Sequence, residues 1–253
     1  MIKKILVILL LCISNHVFAN IKLPAIFSDG MVLQQKTQVA FWGWADAGEE
    51  ITISNSWSGN TTKTKTGASG KWKLVMQTPS AGGPFNIKIN GRNSIELNDV
   101  LIGEVWVCSG QSNMVFSLKA SEGAKEEIQK ADYPGIRYFS VKRQYGSESF
   151  NDAVGSVWEK TNAQTAGSFS AVAYFFAKKI HKDLNVPVGI VYAAWGGTPA
   201  EAWTPKSILE SDNSLQLSIK RWKDMYVTVG KDSTAYHMAL DSWERARKSG
   251  DAI

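Results

Sequence analysis

The chain has 253 residues, 44% of them hydrophobic, which is enough for a sizeable core and for two domains. Its 28 Lys and Arg against 23 Asp and Glu give a formal net charge of +5 with no dense basic block, so nucleic acid is not an implied partner. Two cysteines, Cys12 and Cys108, do not make a disulfide framework.

The N-terminus reads as a secretory signal. Lys3 and Lys4 form a basic start, and residues 5–13 form an apolar run too short to span a membrane. Val17-Phe18-Ala19 places small residues at the −3 and −1 positions, which predicts cleavage near Ala19 and a periplasmic or secreted protein. Loss of Lys3 and Lys4 with the signal lowers the net charge to +3. Cys108 then remains as a lone thiol in an apolar strand, where core packing is the expected role. No later apolar run is long enough to cross a membrane.

Residues 20–98 read as a small β-sandwich domain. Alternating runs occur at 37–44, 50–54, 71–76 and 85–89, separated by turn clusters such as Asp46-Ala47-Gly48, Ser58-Gly59-Asn60 and Asn90-Gly91. The pattern changes after Asp99. Residues 101–109 form an apolar strand of the kind buried on both faces. Phe169, Val172, Ala173, Phe176, Ile180 and Leu184 then fall on one face of a helix, with Ser168 as its expected cap. Residues 188–195 form a second buried strand. Strand, helix and strand in that order predict a parallel sheet with crossover helices over 99–253.

From about 206 to 250 the pattern is helical. Leu215, Ile219, Trp222, Tyr226 and Val229 share one face, and Tyr236, Leu240, Trp243 and Arg247 share another, as in an inserted antiparallel helix pair. With only two parallel strands evident, the α/β domain is expected to be incomplete at its C-terminus, as in a fragment or a truncated product.

Two stretches carry chemistry. Gly110-Gln111-Ser112-Asn113-Met114 directly follows the first apolar strand. A serine on a glycine turn at a strand end is held clear of its neighbours as a nucleophile, and a helix starting there aims free N–H groups at it. The same local pattern also fits a turn that merely starts a helix. Met114 stands where a G-x-S-x-G elbow needs glycine, which argues against the α/β-hydrolase form. The second stretch is Trp195-Gly196-Gly197-Thr198-Pro199-Ala200-Glu201-Ala202-Trp203. Its glycines follow a strand end, where ligand crevices form in open α/β sheets, although a plain strand-to-helix turn with a packing Trp reads equally well. Glu201 and Trp203 are candidates to line a pocket for a sugar-sized ligand.

These blocks resemble the sialate O-acetylesterase family, a branch of the SGNH (GDSL-like) hydrolases. Residues 103–114 resemble its nucleophile block and 195–203 its glycine-bearing block. Residues 23–34 and Trp42-Gly43-Trp44-Ala45 resemble the start of its N-terminal β-domain, and 169–177 its crossover helix. The resemblance implies a β-sandwich followed by a three-layer, flavodoxin-like α/β domain. It implies Ser112 as nucleophile toward an acetyl ester, and an oxyanion hole from the backbone of Ser112 with Gly196 or Gly197. Gln111, Asn113, Glu201 and Trp203 become candidates for substrate contact. The implied substrate is an O-acetylated sugar or glycan.

The family's base and its orienting acid form an Asp-x-x-His pair, and here the sequence departs. The residues three before His16, His181 and His237 are Ile13, Lys178 and Thr234. The pair is therefore expected beyond Ile253. His181 and His237 read as ordinary surface or packing histidines. Without His-Glu-x-x-His, Cys-x-x-Cys or an EF-hand loop, no metal and no cofactor are expected. The ten tryptophans invite a sugar-stacking reading, yet most alternate with polar residues in strands as core residues do. The expected activity is sialate O-acetylesterase. An acetylxylan or other glycan acetylesterase is the first alternative, and a non-enzymatic glycan-binding or inactive truncated product is the second.

Overall fold

The computed structural model describes residues 20–144 and 149–221, together with 223, 224, 233, 234, 237, 238 and 241. The expected signal, residues 1–19, lies outside the described residues. So do Trp222, Tyr226, Val229, Tyr236, Leu240, Trp243 and Arg247 of the expected helix pair. The chain divides into two compact units, Met1–Gly196 and Gly197–Ile253, each described by itself.

The first unit is a mixed sheet with few helices. Its strands are β1 (Val32–Gln34), β2 (Gln38–Trp44), β3 (Glu50–Asn55), β4 (Thr61–Lys65), β5 (Lys71–Gln77), β6 (Gly82–Asn90), β7 (Ser94–Gly110), β8 (Asp132–Ser140), β9 (Trp158–Asn162) and β10 (Val188–Ala194). Its helices are α1 (Ser112–Val115), α2 (Ala124–Gln129) and α3 (Ala171–Leu184). One sheet runs in the order β4-β3-β6-β7-β10-β8-β9 with β1 beside β7, while β2 and β5 pair separately.

Alternation explains the first half. In β2 and β5 the buried Phe41, Trp72, Leu74 and Met76 face inward. There they share one core with Ile51, Ile53, Ile87 and Ile89 of the large sheet. Burial of so many branched and aromatic side chains is the main stabilising term for this half, at about 25 cal/mol per Å² of apolar surface.

β7 joins the halves. Its first part pairs antiparallel with β6, and its second part pairs parallel with β10 from Val188↔Glu104 to Ala194↔Gly110. The strand therefore runs unbroken through the change of pattern at Asp99. Gly103 lets the start of β10 come close: a Cβ on it would lie 2.0 Å from the Pro187 carbonyl oxygen. Asp99 sits in β7 with φ 56°, a left-handed conformation that Asp tolerates better than most residues. Its carboxylate accepts from Arg137 Nη1 and Nη2 at 2.9 and 3.1 Å and lies 2.9 Å from Lys160 Nζ. Arg137, only 3% exposed, also donates to the carbonyls of Pro134 and Gly30. This cluster, with Arg137 buried at its centre, ties β7, β8, β9 and the loop before β1 together.

The parallel strand–helix–strand unit is present, with three corrections. Residues 101–109 are not buried on both faces, since Val107 is 71% exposed and Trp106 is 43% exposed. Cys108 and Trp106 face α3, but Trp106 lies at the helix margin against Phe176, with ring centroids 5.1 Å apart. Val107 points to the opposite face. The helix also turns inward a stripe that overlaps the expected one only at Ala173 and Ile180, with Phe169 buried just before it. Ala171, Ala173, Tyr174 and Ala177 are buried, whereas Val172, Phe176 and Leu184 are exposed. Alanines let a helix approach a sheet closely, and a period-matched set of larger residues concealed that stripe. The N-cap is Ser170, which accepts from Ala173 N–H, and not Ser168.

In the second unit, α4 (Lys206–Ser211) precedes a short 3₁₀ turn at Asn213–Leu215. Leu215 and Ile219 are half-buried. Among the described residues, no helix is long and apolar enough to cross a membrane, and no group of His, Cys, Asp or Glu is arranged to hold a metal ion.

Candidate active site

The site is built at the C-terminal ends of β7 and β10. Gly110 ends β7 with φ 144°, a conformation that side chains bearing a Cβ rarely adopt, and the chain turns there directly into α1. Ser112 is the first residue of that helix and is exposed. The helix is a single turn, with Phe116 N–H closing onto the Ser112 carbonyl at 3.1 Å. So short a helix carries little macrodipole, and what it offers the serine is local backbone N–H groups.

Gln111 holds the serine in place. Its side-chain oxygen accepts from Ser112 Oγ at 2.6 Å and from Ser112 N–H at 3.1 Å. One carboxamide oxygen thus occupies both the hydroxyl proton and the Ser112 N–H. Ser109, Gly110, Gln111, Ser112, Asn113, Met114 and Val172 line a cavity of about 520 Å³. The exposure of Val172 on α3 has its use here, because that side chain forms the cavity's wall. Met114 is braced from behind by Ser170, whose hydroxyl lies 3.4 Å from Met114 Sδ.

The parallel pairing delivers the second block. Ala194 lies opposite Gly110, and Trp195 N–H donates to the Gly110 carbonyl at 3.0 Å. Gly196 therefore comes up against the serine: a Cβ on it would lie 3.8 Å from Ser112 Cα and 4.0 Å from Ser112 Oγ. Of the residues singled out in the sequence, Gln111, Ser112, Asn113 and Gly196 come together in the first unit. Gly197, Glu201 and Trp203 belong to the second unit. There residues Ala200–Trp203 form a 3₁₀ turn and Trp203 Nε1 donates to Thr198 Oγ1 at 2.8 Å.

Cys108 and His181 serve structure. Cys108 is buried in the core beneath α3, and burial pushes its thiol pKa up, away from a reactive thiolate. His181 sits in the last turn of α3 with Nδ1 2.6 Å from the Val186 carbonyl oxygen. A carbonyl only accepts, so Nδ1 carries the proton and the ring links α3 to the start of β10.

Sequence reading missed Arg143. It follows β8 on a loop, with its guanidinium 5.8 Å from the Trp195 ring centroid and Nε 3.4 Å from the Ala194 carbonyl. This places a cation on the residues that join β10 to Gly110. No motif marked it, since a lone loop arginine has no pattern to find.

The sequence profile of the family described as carbohydrate esterase, sialic acid-specific acetylesterase, matches residues 102–235. Rat sialate O-acetylesterase is 33% identical over 199 residues, covering 72% of this chain and 37% of that protein. The mouse sialate O-acetylesterase is 28% identical over 225 residues, covering 82% of this chain and 42% of that protein. Among solved structures, a carbohydrate acetylesterase from Xanthomonas citri superposes with a TM-score of 0.72 at 32% identity, covering 77% of this chain and 44% of that one. The chain thus spans less than half the length of the curated relatives it matches. With Ser112 and Gly196 within the matched stretch, the chain belongs to the carbohydrate esterase family of sialic acid-specific acetylesterases.

Proposed function

We propose that the protein is a carbohydrate O-acetylesterase that removes acetyl groups from sugars, sialate first among them, through an acyl-enzyme on Ser112. The observation that carries this reading is the exposed Ser112 Oγ at the cavity wall with Gly196 directly beside it. Ser112 Oγ attacks the acetyl carbonyl carbon, and its proton passes to a base as the carbonyl electrons move onto oxygen. The N–H groups of Ser112 and Gly196 stabilise that oxyanion. Collapse expels the sugar oxygen, which takes up a proton, and water then cleaves the acetyl-serine ester to acetate. Because Gln111 Oε1 occupies the Ser112 N–H in the free site, productive binding requires this carboxamide to turn away.

We read the architecture as a small β-sandwich followed by an SGNH-type α/β domain. The core shared by β2, β5, β3 and β6 supports the first part, and the parallel β7–β10 pair with α3 supports the second. We read residues 1–19 as a signal that directs export. N-terminal sequencing of the mature protein is expected to begin at Asn20, and an intact Met1 would contradict export by cleavage.

The substrate is tested by acetate release from O-acetylated sialic acid against acetylated xylan. Sialate is expected to be preferred, because Arg143 offers a cation for its carboxylate beside Trp195. Replacement of Arg143 by alanine should raise KM for the sialate ester by about tenfold and leave that for a neutral acetyl ester unchanged. Faster release from xylan, with no effect of the Arg143 change, would move the assignment to a neutral glycan.

A further inference from the structure

The β2–β5 pair carries a second concave surface, none of whose residues line the Ser112 cavity. Side chains alternate along a strand, so Trp42 and Trp44 project from one face of β2, while Phe41 and the intervening Gly43 are buried on the other. The register places Lys73 opposite Trp42 and Lys71 opposite Trp44. Lys22 joins them through paired backbone hydrogen bonds to Trp44, with Nζ 5.8 Å from the Trp44 ring centroid. Trp42, Trp44, both β5 lysines and Asn151 surround a cavity of about 320 Å³, with Gly43 and Trp72 completing its wall.

Two features of this cavity go unused by folding. Trp42 is 38% exposed although it packs edge-on against Phe27, and core packing alone does not require so large a ring at a solvent-facing position. Neither Lys71 nor Lys73 is in an ion pair among the described residues. Gly43 has its own role, since a Cβ there would come within 2.7 Å of the Trp72 ring. The glycine lets that buried indole lie directly beneath the strand, and Trp72 Nε1 has no hydrogen-bond partner among the described residues.

We propose that this face of β2 and β5 is a second, non-catalytic binding site for a carboxylate-bearing sugar. The indole faces suit the apolar C–H side of a pyranose ring. Lys71 and Lys73 supply charge-assisted contacts to its carboxylate, and the Asn151 amide suits a hydroxyl. A neutral sugar leaves the lysines unused, and an apolar peptide segment would gain nothing from them. A single-stranded nucleic acid needs a basic groove that follows its backbone, whereas these cations sit in one patch. Such a site would hold the protein on an acidic glycan and raise the local concentration of its ends. The proposal does not depend on Ser112 being catalytic.

Titration with 3′-sialyllactose and with lactose, followed by calorimetry, tests it in the Ser112→Ala background. Sialyllactose is expected to bind more tightly than lactose. Trp42→Ala should weaken sialyllactose binding at least tenfold. The exposed pair Lys71→Gln and Lys73→Gln should remove the preference over lactose without changing the melting temperature. With Ser112 intact, hydrolysis of a small soluble acetyl ester should be unaltered in both variants. Sialyllactose affinity unchanged in both variants, equal affinity for lactose in the parent, or tighter binding of a thymidine oligonucleotide at this face would each overturn the proposal.

Discussion

In esterase-active protein that supplies the Asp-x-x-His base, Ser112→Ala is expected to lower the rate of acetyl-ester hydrolysis by at least about 10⁴-fold, leaving the fold intact. The size follows from the chemistry: without Oγ no acyl-enzyme forms, and water would have to attack the ester directly. The fold should survive because Ser112 is exposed and, among the described residues, its side chain hydrogen-bonds only to Gln111. Exposed substitutions of this kind change stability by about 0.5 kcal/mol or less. Initial rates with a chromogenic acetyl ester, read beside a thermal melt, check both halves. A drop in rate accompanied by a large drop in melting temperature would mean that Ser112 acts through structure. An unchanged rate would remove it from the chemistry.

The largest effect on stability is expected from Asp99→Asn. The Arg137 guanidinium beside Asp99, with Lys160, holds its carboxyl below the usual carboxylate range, although partial burial works against this. Removing that charge leaves Arg137 buried among carbonyls without its counter-ion. Breaking a buried pair from one side costs about 3–5 kcal/mol, and the partial exposure of Asp99 places the expected loss near the lower end. For a protein of this size that corresponds to a melting temperature lower by roughly 10 °C. The pH dependence has a definite sign. A carboxylate with a depressed folded pKa contributes its full stability above the unfolded value of about 3.9, and the contribution fades as pH falls through the folded value. The gap between parent and variant should therefore be widest near neutral pH and close as the solution is acidified below about pH 4. A gap independent of pH would mean that the variant acts through shape alone.

Much of this molecule was legible because its signals are local. The alternating runs at 37–44, 50–54, 71–76 and 85–89 became β2, β3, β5 and β6 with small shifts at their ends. β7, α3 and β10 followed from hydrophobic runs and from one helical period. What escaped was structure whose residues are set by distant partners. β8 begins Asp132-Tyr133-Pro134-Gly135, which reads as a turn, and its Arg137 looks misplaced in a buried strand until Asp99 lies beside it. β4, Thr61–Lys65, is a short polar strand with no apolar stripe, and only its pairing with β3 defines it. In the same way the helix period gave α3 and part of its buried stripe, Ala173 and Ile180, but not Ala171 and Ala177, because alanines carry almost no hydrophobic signal.

The candidate site divides along the same line. Ser112 and Gly196 lie in sequence blocks with strong local character, and strand register brings the two together. The grip of Gln111 on the serine hydroxyl could not be foreseen from spacing, since it depends on the geometry of the turn. Arg143 reaches Trp195, one residue before Gly196, because β8 lies next to β10 in the sheet, a neighbour relation that chain order conceals.

In the proposed reaction Ser112 forms the covalent bond to the acyl group. Reaction of the esterase-active protein with a fluorophosphonate, followed by peptide mass spectrometry, reads that bond directly. A single adduct is expected on the peptide carrying Ser112, with loss of hydrolysis in proportion to labelling and no adduct in Ser112→Ala. Full inactivation with Ser112 unmodified, or an adduct on another residue that tracks the loss of activity, would contradict it.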